Sequence, residues 1–297
     1  MMPSLAVLSY HRIVEDTDNK AWPYLERGTA VRARTLEAQL ADIAHIADII
    51  SEDVVLEVLA QRQRLERSSI WLTFDDGYAD VKRAALLAQT GTVFWSTITS
   101  TRPLPADAWY AALLSAHRTH GDLDLGFGPF EFDLSIPAGR ARLVNGPERR
   151  SFLRASLTTQ DATMNELARQ LDANTAPDNL YLDESELRTM VDTGWSVGSH
   201  GVTHTPFDSL SADEVRNEGL TSRQALNALG RIRSIALPDG ALAHIDALRS
   251  VGYDCVLGLG NAACAVGAEV QPRFLVPDDP NWVKCVLAPA LIGAAHD

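Results

Sequence analysis

The sequence predicts an α/β fold built on a parallel sheet, and three observations predict it. Short apolar runs alternate with helical patterns along most of the chain. Its 297 residues suffice for one large α/β barrel or two ordinary domains. A hydrophobic content of 46% against 22% charged residues supplies ample side chains for a core. About seven strand–helix units would close the sheet into a barrel.

Taken in order, Leu5 to Ser9 reads as the first strand. Leu36, Leu40, Ile43 and Ile46 follow helical spacing behind Thr35, a plausible N-cap. Ile70 to Phe74 reads as a buried strand, followed by a helix over about 79–89 and a strand over Val93 to Ile98. A helix from Glu184 to Asp192 leads into the strand-like Trp195-Ser196-Val197-Gly198. The next helix spans about 211–229, opened by a capping box at Ser211 to Glu214. Ser234 to Leu237 and Cys255 to Leu259 read as short strands flanking a helix that starts near Ala241. Residues 102–180 break this rhythm with Pro, Gly and acidic clusters, then helical patterns at Phe152-Leu153 and Leu167 to Leu171. They read as a largely helical insertion within a single domain spanning 1–297, placed on the active-site rim.

The net charge of −13 and the absence of a basic run argue against a nucleic-acid partner and favour a neutral or cationic substrate. Cys255, Cys264 and Cys285 form no CxxC pair and are expected to be buried thiols. The first residues lack a charged signal-peptide region, and no run approaches the length of a membrane span. A soluble cytoplasmic protein is expected.

The chemistry concentrates in Thr73-Phe74-Asp75-Asp76-Gly77 and Ser199-His200-Gly201-Val202-Thr203-His204. The first puts two carboxylates at a strand end, where parallel barrels carry their catalytic groups. The second puts imidazoles at i and i+4, on one side if that turn is helical. One carboxylate and two histidines make a three-ligand metal site with an open position, the pattern of a catalytic zinc. The second carboxylate is then available as a base. Taken alone, Asp-Gly is also a turn signal and a lone HxxxH is weak.

Together the two motifs resemble the polysaccharide deacetylase family (carbohydrate esterase family 4, the NodB homology domain). The resemblance covers about residues 1–100 and 181–280. It implies a distorted (β/α) barrel that removes N-acetyl groups from amino sugars. It also implies Asp75 as general base, and Asp76, His200 and His204 as ligands of one divalent metal. Zinc suits that set best, with cobalt, nickel or manganese as alternatives. The backbone N–H of Tyr78 would help to hold the oxyanion.

Two departures stand out. The family's third motif carries an Arg two residues before a Pro; Pro238 and Gly240 match, but Ala236 occupies the Arg position. Arg273, in Pro272-Arg273-Phe274-Leu275, is the candidate to orient Asp75 instead, a sheet-end ion pair being the plainer reading. The family's late histidine is also missing: Leu287 to Ile292 is apolar, but His296 falls at the terminus. His11 follows the first strand in a segment resembling exopolysaccharide-type deacetylases, and is named as a general acid or substrate contact. Trp95, Trp109 and Trp195 belong to the core by default, with a rim contact open for Trp109.

The leading reading is therefore metal-dependent removal of an N-acetyl group from an amino sugar or glycan. A deformylase or other amide or imide hydrolase would use the same groups. A carbohydrate-binding domain with impaired catalysis is the third reading, and the intact Asp75, Asp76, His200 and His204 set argues against it.

Overall fold

A computed structural model describes residues 3–124 and 129–293. Its strands are Leu5–Tyr10 (β1), Arg12–Val14 (β2), Ala30–Arg32 (β3), Asp48–Ile49 (β4), Ser69–Phe74 (β5), Thr92–Trp95 (β6), His120–Asp124 (β7), Pro129–Asp133 (β8), Ser196–Ser199 (β9), Ser234–Ala236 (β10), Cys255–Leu259 (β11) and Gln271–Leu275 (β12). The order β1-β12-β11-β10-β9-β6-β5 returns to β1, so seven parallel strands close a barrel. Closure runs from Leu5 opposite Ser69 to Tyr10 opposite Phe74. The short β4 pairs with the start of β5, ahead of the stretch where β6 takes over.

The period of two along each strand divides the barrel into an inside and an outside. Leu5, Val7, Trp71, Phe94, Ala236 and Leu257 pack together as the interior. Ala6, Leu8, Ile70, Leu72 and Val93 pack outward against helix residues such as Leu36, Leu187 and Leu248. Because both faces are covered, β1 and β5 are buried at every position, which is why they read as unbroken apolar runs. Continuing the inward series upward gives Ser9 after Val7 and Thr73 after Trp71, so polar side chains replace apolar ones toward the catalytic mouth.

Helices Glu184–Asp192 and Ala212–Leu226 lie close to their expected places, the second opened by the Ser211–Glu214 capping box. Other expectations need correction. Thr35 is not an N-cap: the helix is Ala33–Ile46, and Thr35 is buried inside its first turn. The 79–89 segment is a 3₁₀ turn, Ala79–Val81, followed by a short helix, Lys82–Leu87. β6 stops at Trp95, ahead of another 3₁₀ turn, and the helix expected near Ala241 starts at Ile245 after the Pro238–Gly240 turn. Cys285 is exposed, Cys264 is partly so, and Cys255 is buried.

The 102–180 insertion carries helices Pro105–Leu114, Pro137–Asn145, Pro147–Arg154 and Leu157–Leu171. It also contains an antiparallel pair, β7 with β8, that the helical reading missed. Its core joins Trp109, Phe152 and Leu167 to Val14, Tyr24 and Tyr78 from outside the insertion. The insertion is thereby packed against the segment that follows β1 and the residue just past the Asp-Asp-Gly turn.

Candidate active site

β5 ends at Phe74, and the chain then turns through Asp76 (φ 70°) and Gly77 (φ 71°). Aspartate tolerates this left-handed region better than most residues, and glycine freely. Gly77 is required twice over, since a Cβ there would stand 2.2 Å from Trp95 Cδ1. The turn sends the two carboxylates to different partners.

Asp75 meets Arg273, which reaches it from β12 through Nη1–Oδ1 (2.6 Å) and Nη2–Oδ2 (2.9 Å) hydrogen bonds. Both side chains are buried, so little solvent screens the pair. Ser9 donates a third hydrogen bond to Oδ2 (3.2 Å). Burial alone would raise the Asp75 pKa, but the Arg273 guanidinium, with His200 and His11, outweighs it and holds the carboxyl below its usual range. The guanidinium that holds Asp75 therefore comes from β12, through a fork-to-fork contact.

Asp76 faces the two histidines. Its Oδ1 lies 3.4 Å from His200 Nε2 and 2.9 Å from His204 Nε2, yet has no aligned hydrogen-bond partner. His200 Nδ1 is 2.9 Å from the carbonyl oxygen of Ala236. Only an N–H can satisfy a carbonyl, so Nδ1 carries a proton and Nε2 is the nitrogen turned toward Asp76. Ala236, the position without the motif arginine, thus orients the His200 ring by its backbone.

His204 does not reach the site on a helical turn. Residues 200–206 form an irregular loop with positive φ at Gly201 (77°) and His204 (58°). Glu218 clamps it, accepting from the N–H groups of Val202 (2.7 Å) and Thr203 (3.0 Å) and from the Thr203 hydroxyl (2.9 Å). The His200 and His204 rings end 4.8 Å apart, edge to face. Burial would lower the His204 pKa, but Asp76 overrides it and raises it to about 9.

The three ligand atoms lie within 4.8 Å of one another. An orphaned buried carboxylate oxygen flanked by two imidazole nitrogens, one fixed by its second nitrogen, is a donor set that fits a divalent metal of the zinc type.

His11 follows β1, with Nε2 3.9 Å from Asp75 Oδ2 and its buried Nδ1 without a partner. It therefore stands beside Asp75. Burial lowers its pKa, and Asp76 and Asp75 offset only part of that shift. Tyr78 sits on an antiparallel bridge with Tyr181 in which the flanking residues make the bonds, Leu182 N–H to Gly77 O (2.9 Å) and Ala79 N–H to Leu180 O (2.8 Å). That arrangement leaves the Tyr78 N–H outside the ladder. The Tyr78 hydroxyl donates to Asp107 (3.0 Å), as do those of Tyr24 (2.8 Å) and Tyr181. Burial, then Asp76, pushes the Asp107 pKa up to about 6.

The sequence reading missed Ser9, Asp107 and Glu218, which act through other residues and sit in no short motif. The tryptophans serve as packing: Trp109 is fully buried against Phe152, Trp195 against Phe74, and Trp95 against Gly77. The late apolar stretch forms part of a helical segment, Val283–Leu287 and Ala288–Gly293, and His296 lies outside the described residues.

A cavity of about 120 Å³ gathers His11, Asp75, Asp76, His200, His204 and Arg273 with insertion residues Tyr110 and Arg149. Ligand pockets that engulf a drug-sized molecule start near ~300 Å³, so this one would admit a substituent rather than an oligosaccharide. Larger hollows of about 440 and 790 Å³ lie on other faces, away from these residues.

A family model described as polysaccharide deacetylase matches residues 156–256. The match is to the polysaccharide deacetylase family. It contains the SHGVTH motif and the Pro238–Gly240 turn, and begins after TFDDG, which the fold brings to the same site. Among solved structures, the Streptococcus pyogenes deacetylase PplD in complex with acetate is 16% identical, with a TM-score of 0.62 over 98% of this chain and 99% of that one. IcaB from Ammonifex degensii is 16% identical, with a TM-score of 0.57 over 99% and 98% of the two chains. A de-N-acetylase from Aggregatibacter actinomycetemcomitans is 13% identical, with a TM-score of 0.56 over 93% and 95%. At these identities the likeness is one of fold, and it bears out the closed barrel with helices around it. No protein of curated function matches the chain.

Proposed function

We propose that this chain is a metal-dependent hydrolase that removes an N-acetyl group from an amino sugar or glycan. The observation that carries the reading is a buried, arginine-held carboxylate, Asp75, immediately beside a converging Asp76, His200 and His204 set. A binding module has no use for a fixed base next to a metal site. The polysaccharide deacetylase match and the shared fold support the same reaction class.

Asp76, His200 and His204 would hold the metal. A dication there would act as a Lewis acid toward the amide carbonyl and bring the pKa of a water toward neutrality. Asp75 would take the proton of the attacking water, with Arg273 and Ser9 fixing its orientation. A carboxylate held below its usual pKa is a weak base, so the step would depend on a water already acidified by the metal. The Tyr78 N–H would donate to the oxyanion. His11, neutral and beside Asp75, would receive the proton and pass it to the leaving nitrogen, so that the amine rather than its anion departs.

Acetate release from a panel of N-acetylated amino sugars tests this reading, with the Asp75→Asn chain assayed alongside. The carboxamide keeps the shape but cannot take a proton, so turnover should fall about 10²–10⁴-fold with metal content unchanged. Acetate release at the wild-type rate from Asp75→Asn, or none from any sugar by the wild type, would overturn it.

A further inference from the structure

The catalytic cavity also holds a positive group that the reaction above does not use. Arg149, in the insertion helix Pro147–Arg154, is 5% exposed, and its buried Nε has no hydrogen-bond partner. Its guanidinium lies 5.1 Å from the centre of the Tyr110 ring, and the Tyr110 hydroxyl, also buried, is likewise without a partner. Arg27, exposed at the end of helix Trp22–Arg27, lines the same cavity. Among the described residues neither Arg149 nor Arg27 forms an ion pair, whereas Arg12, Arg32, Arg233 and Arg273 each have a carboxylate partner.

A buried charge without a counter-ion is costly, and so is a buried hydroxyl without a partner. Here two such groups stand together, face the pocket that holds the metal-ligand set, and come from the insertion rather than the barrel. Arginine presents a planar fork of donors matched to carboxylate and phosphate oxygens. Besides Asp75 and Asp76, which face Arg273 and the histidines, the cavity is lined by Asp239, exposed in the Pro238–Gly240 turn, where water screens it.

We propose that Arg149, with the Tyr110 hydroxyl and Arg27, forms a subsite for an anionic oxygen substituent, carboxylate or phosphate, on the acetylated substrate. This rests on the deacetylase reading and narrows its substrate class to acidic amino sugars. It runs against the chain's overall charge of −13, because a desolvated guanidinium inside the pocket acts at contact range whereas the global charge is screened.

The test compares three probes on the metal-loaded full chain: N-acetylglucosamine, N-acetylglucosaminuronic acid and N-acetylglucosamine 6-phosphate. Binding is read by calorimetry and acetate release in the same samples. The wild type should bind at least one anionic probe about tenfold or more tighter than the neutral sugar, and the better of the two identifies carboxylate or phosphate. Arg149→Gln should erase the preference, and Arg27→Gln, at an exposed site that leaves folding intact, should reduce it. Equal binding of all three probes by the wild type overturns the subsite even if Arg149→Gln fails to fold, as does a preference that survives in folded Arg149→Gln. Acetate release without preference leaves the deacetylase reading standing and removes the subsite. A preference lost in Arg149→Gln without any acetate release does the reverse.

Discussion

The Arg273 guanidinium grips the Asp75 carboxylate at both oxygens, 2.6 and 2.9 Å away, at the mouth of the barrel, reaching from β12 to the tip of β5. The two residues are 198 positions apart in sequence. The strand position where the third motif would carry its arginine, Ala236, instead gives a backbone carbonyl to His200. The guanidinium that holds Asp75 thus comes from β12, and β10 contributes a backbone carbonyl to His200 instead.

Replacing Arg273 should therefore cost both activity and stability. Arg273→Ala leaves a buried carboxylate uncompensated, and urea unfolding should show a loss of about 3–5 kcal/mol. Arg273→Lys keeps the charge but cannot make the paired contact. It should fold and load metal yet turn over at least about tenfold more slowly. A fully active Arg273→Lys protein would mean that charge alone, not the fork, serves Asp75.

Metal loading should displace a proton from His204. Its pKa in the Asp76 pair is raised from 6.5 to about 9, and a ligand must give up its proton to bind. In the metal-free chain the pair's stabilisation is fully present below 6.5 and is lost as pH rises through about 9. Calorimetric titration of zinc at pH 7, repeated in buffers of different ionisation enthalpy, should register about one proton released per metal. That number should fall toward zero above pH 9 or so. Binding without proton release at pH 7 would remove His204 from the ligand set.

His11 should act in its neutral form. Burial lowers its pKa below 6.5, and a dication nearby would push it further the same way. Activity that needs the neutral ring is lost as pH falls through that lowered value, so His11 governs the acid limb of the rate profile. His11→Gln should cut kcat by about 10²-fold, flatten that limb and leave metal content alone. Unchanged kcat and an unchanged profile would make His11 a strand-end structural residue.

Glu218 should matter for metal and not for the fold at large. It holds the loop that carries His204 through three hydrogen bonds. Glu218→Gln keeps the size but gives up the charge-assisted acceptor, and metal affinity should drop about 10–100-fold. Melting of the metal-free protein should shift little. Wild-type affinity in that variant would mean the loop is held by its own backbone.

Much of the site was legible because its residues lie at strand ends in short motifs. Asp75, Asp76, His200 and His204 needed only the rule that parallel strands deliver chemistry at their C-terminal ends. Arg273 was legible as a candidate, since an arginine in an otherwise apolar strand demands a partner. The helical reading of His200 to His204 went astray because i, i+4 spacing looks the same whether a helix or a clamped loop brings the rings together. Glu218 and Asp107 lay out of reach: one sits on an amphipathic helix face, the other in the insertion, and nothing local tells which backbone groups or phenols they will meet. The antiparallel β7–β8 pair was hidden for a related reason, its strands alternating exposed and buried residues over too short a span to stand out.

Chelation and reloading test the central claim most directly. The protein is stripped of metal, assayed for acetate release on an N-acetylated amino sugar it hydrolyses, then reassayed after one equivalent of zinc. Release should vanish on stripping and return on reloading in the wild type, and should not return at one equivalent in His200→Ala or His204→Ala. Undiminished release from the stripped wild type, or full recovery in either variant, would contradict the assignment of Asp76, His200 and His204 as the metal site.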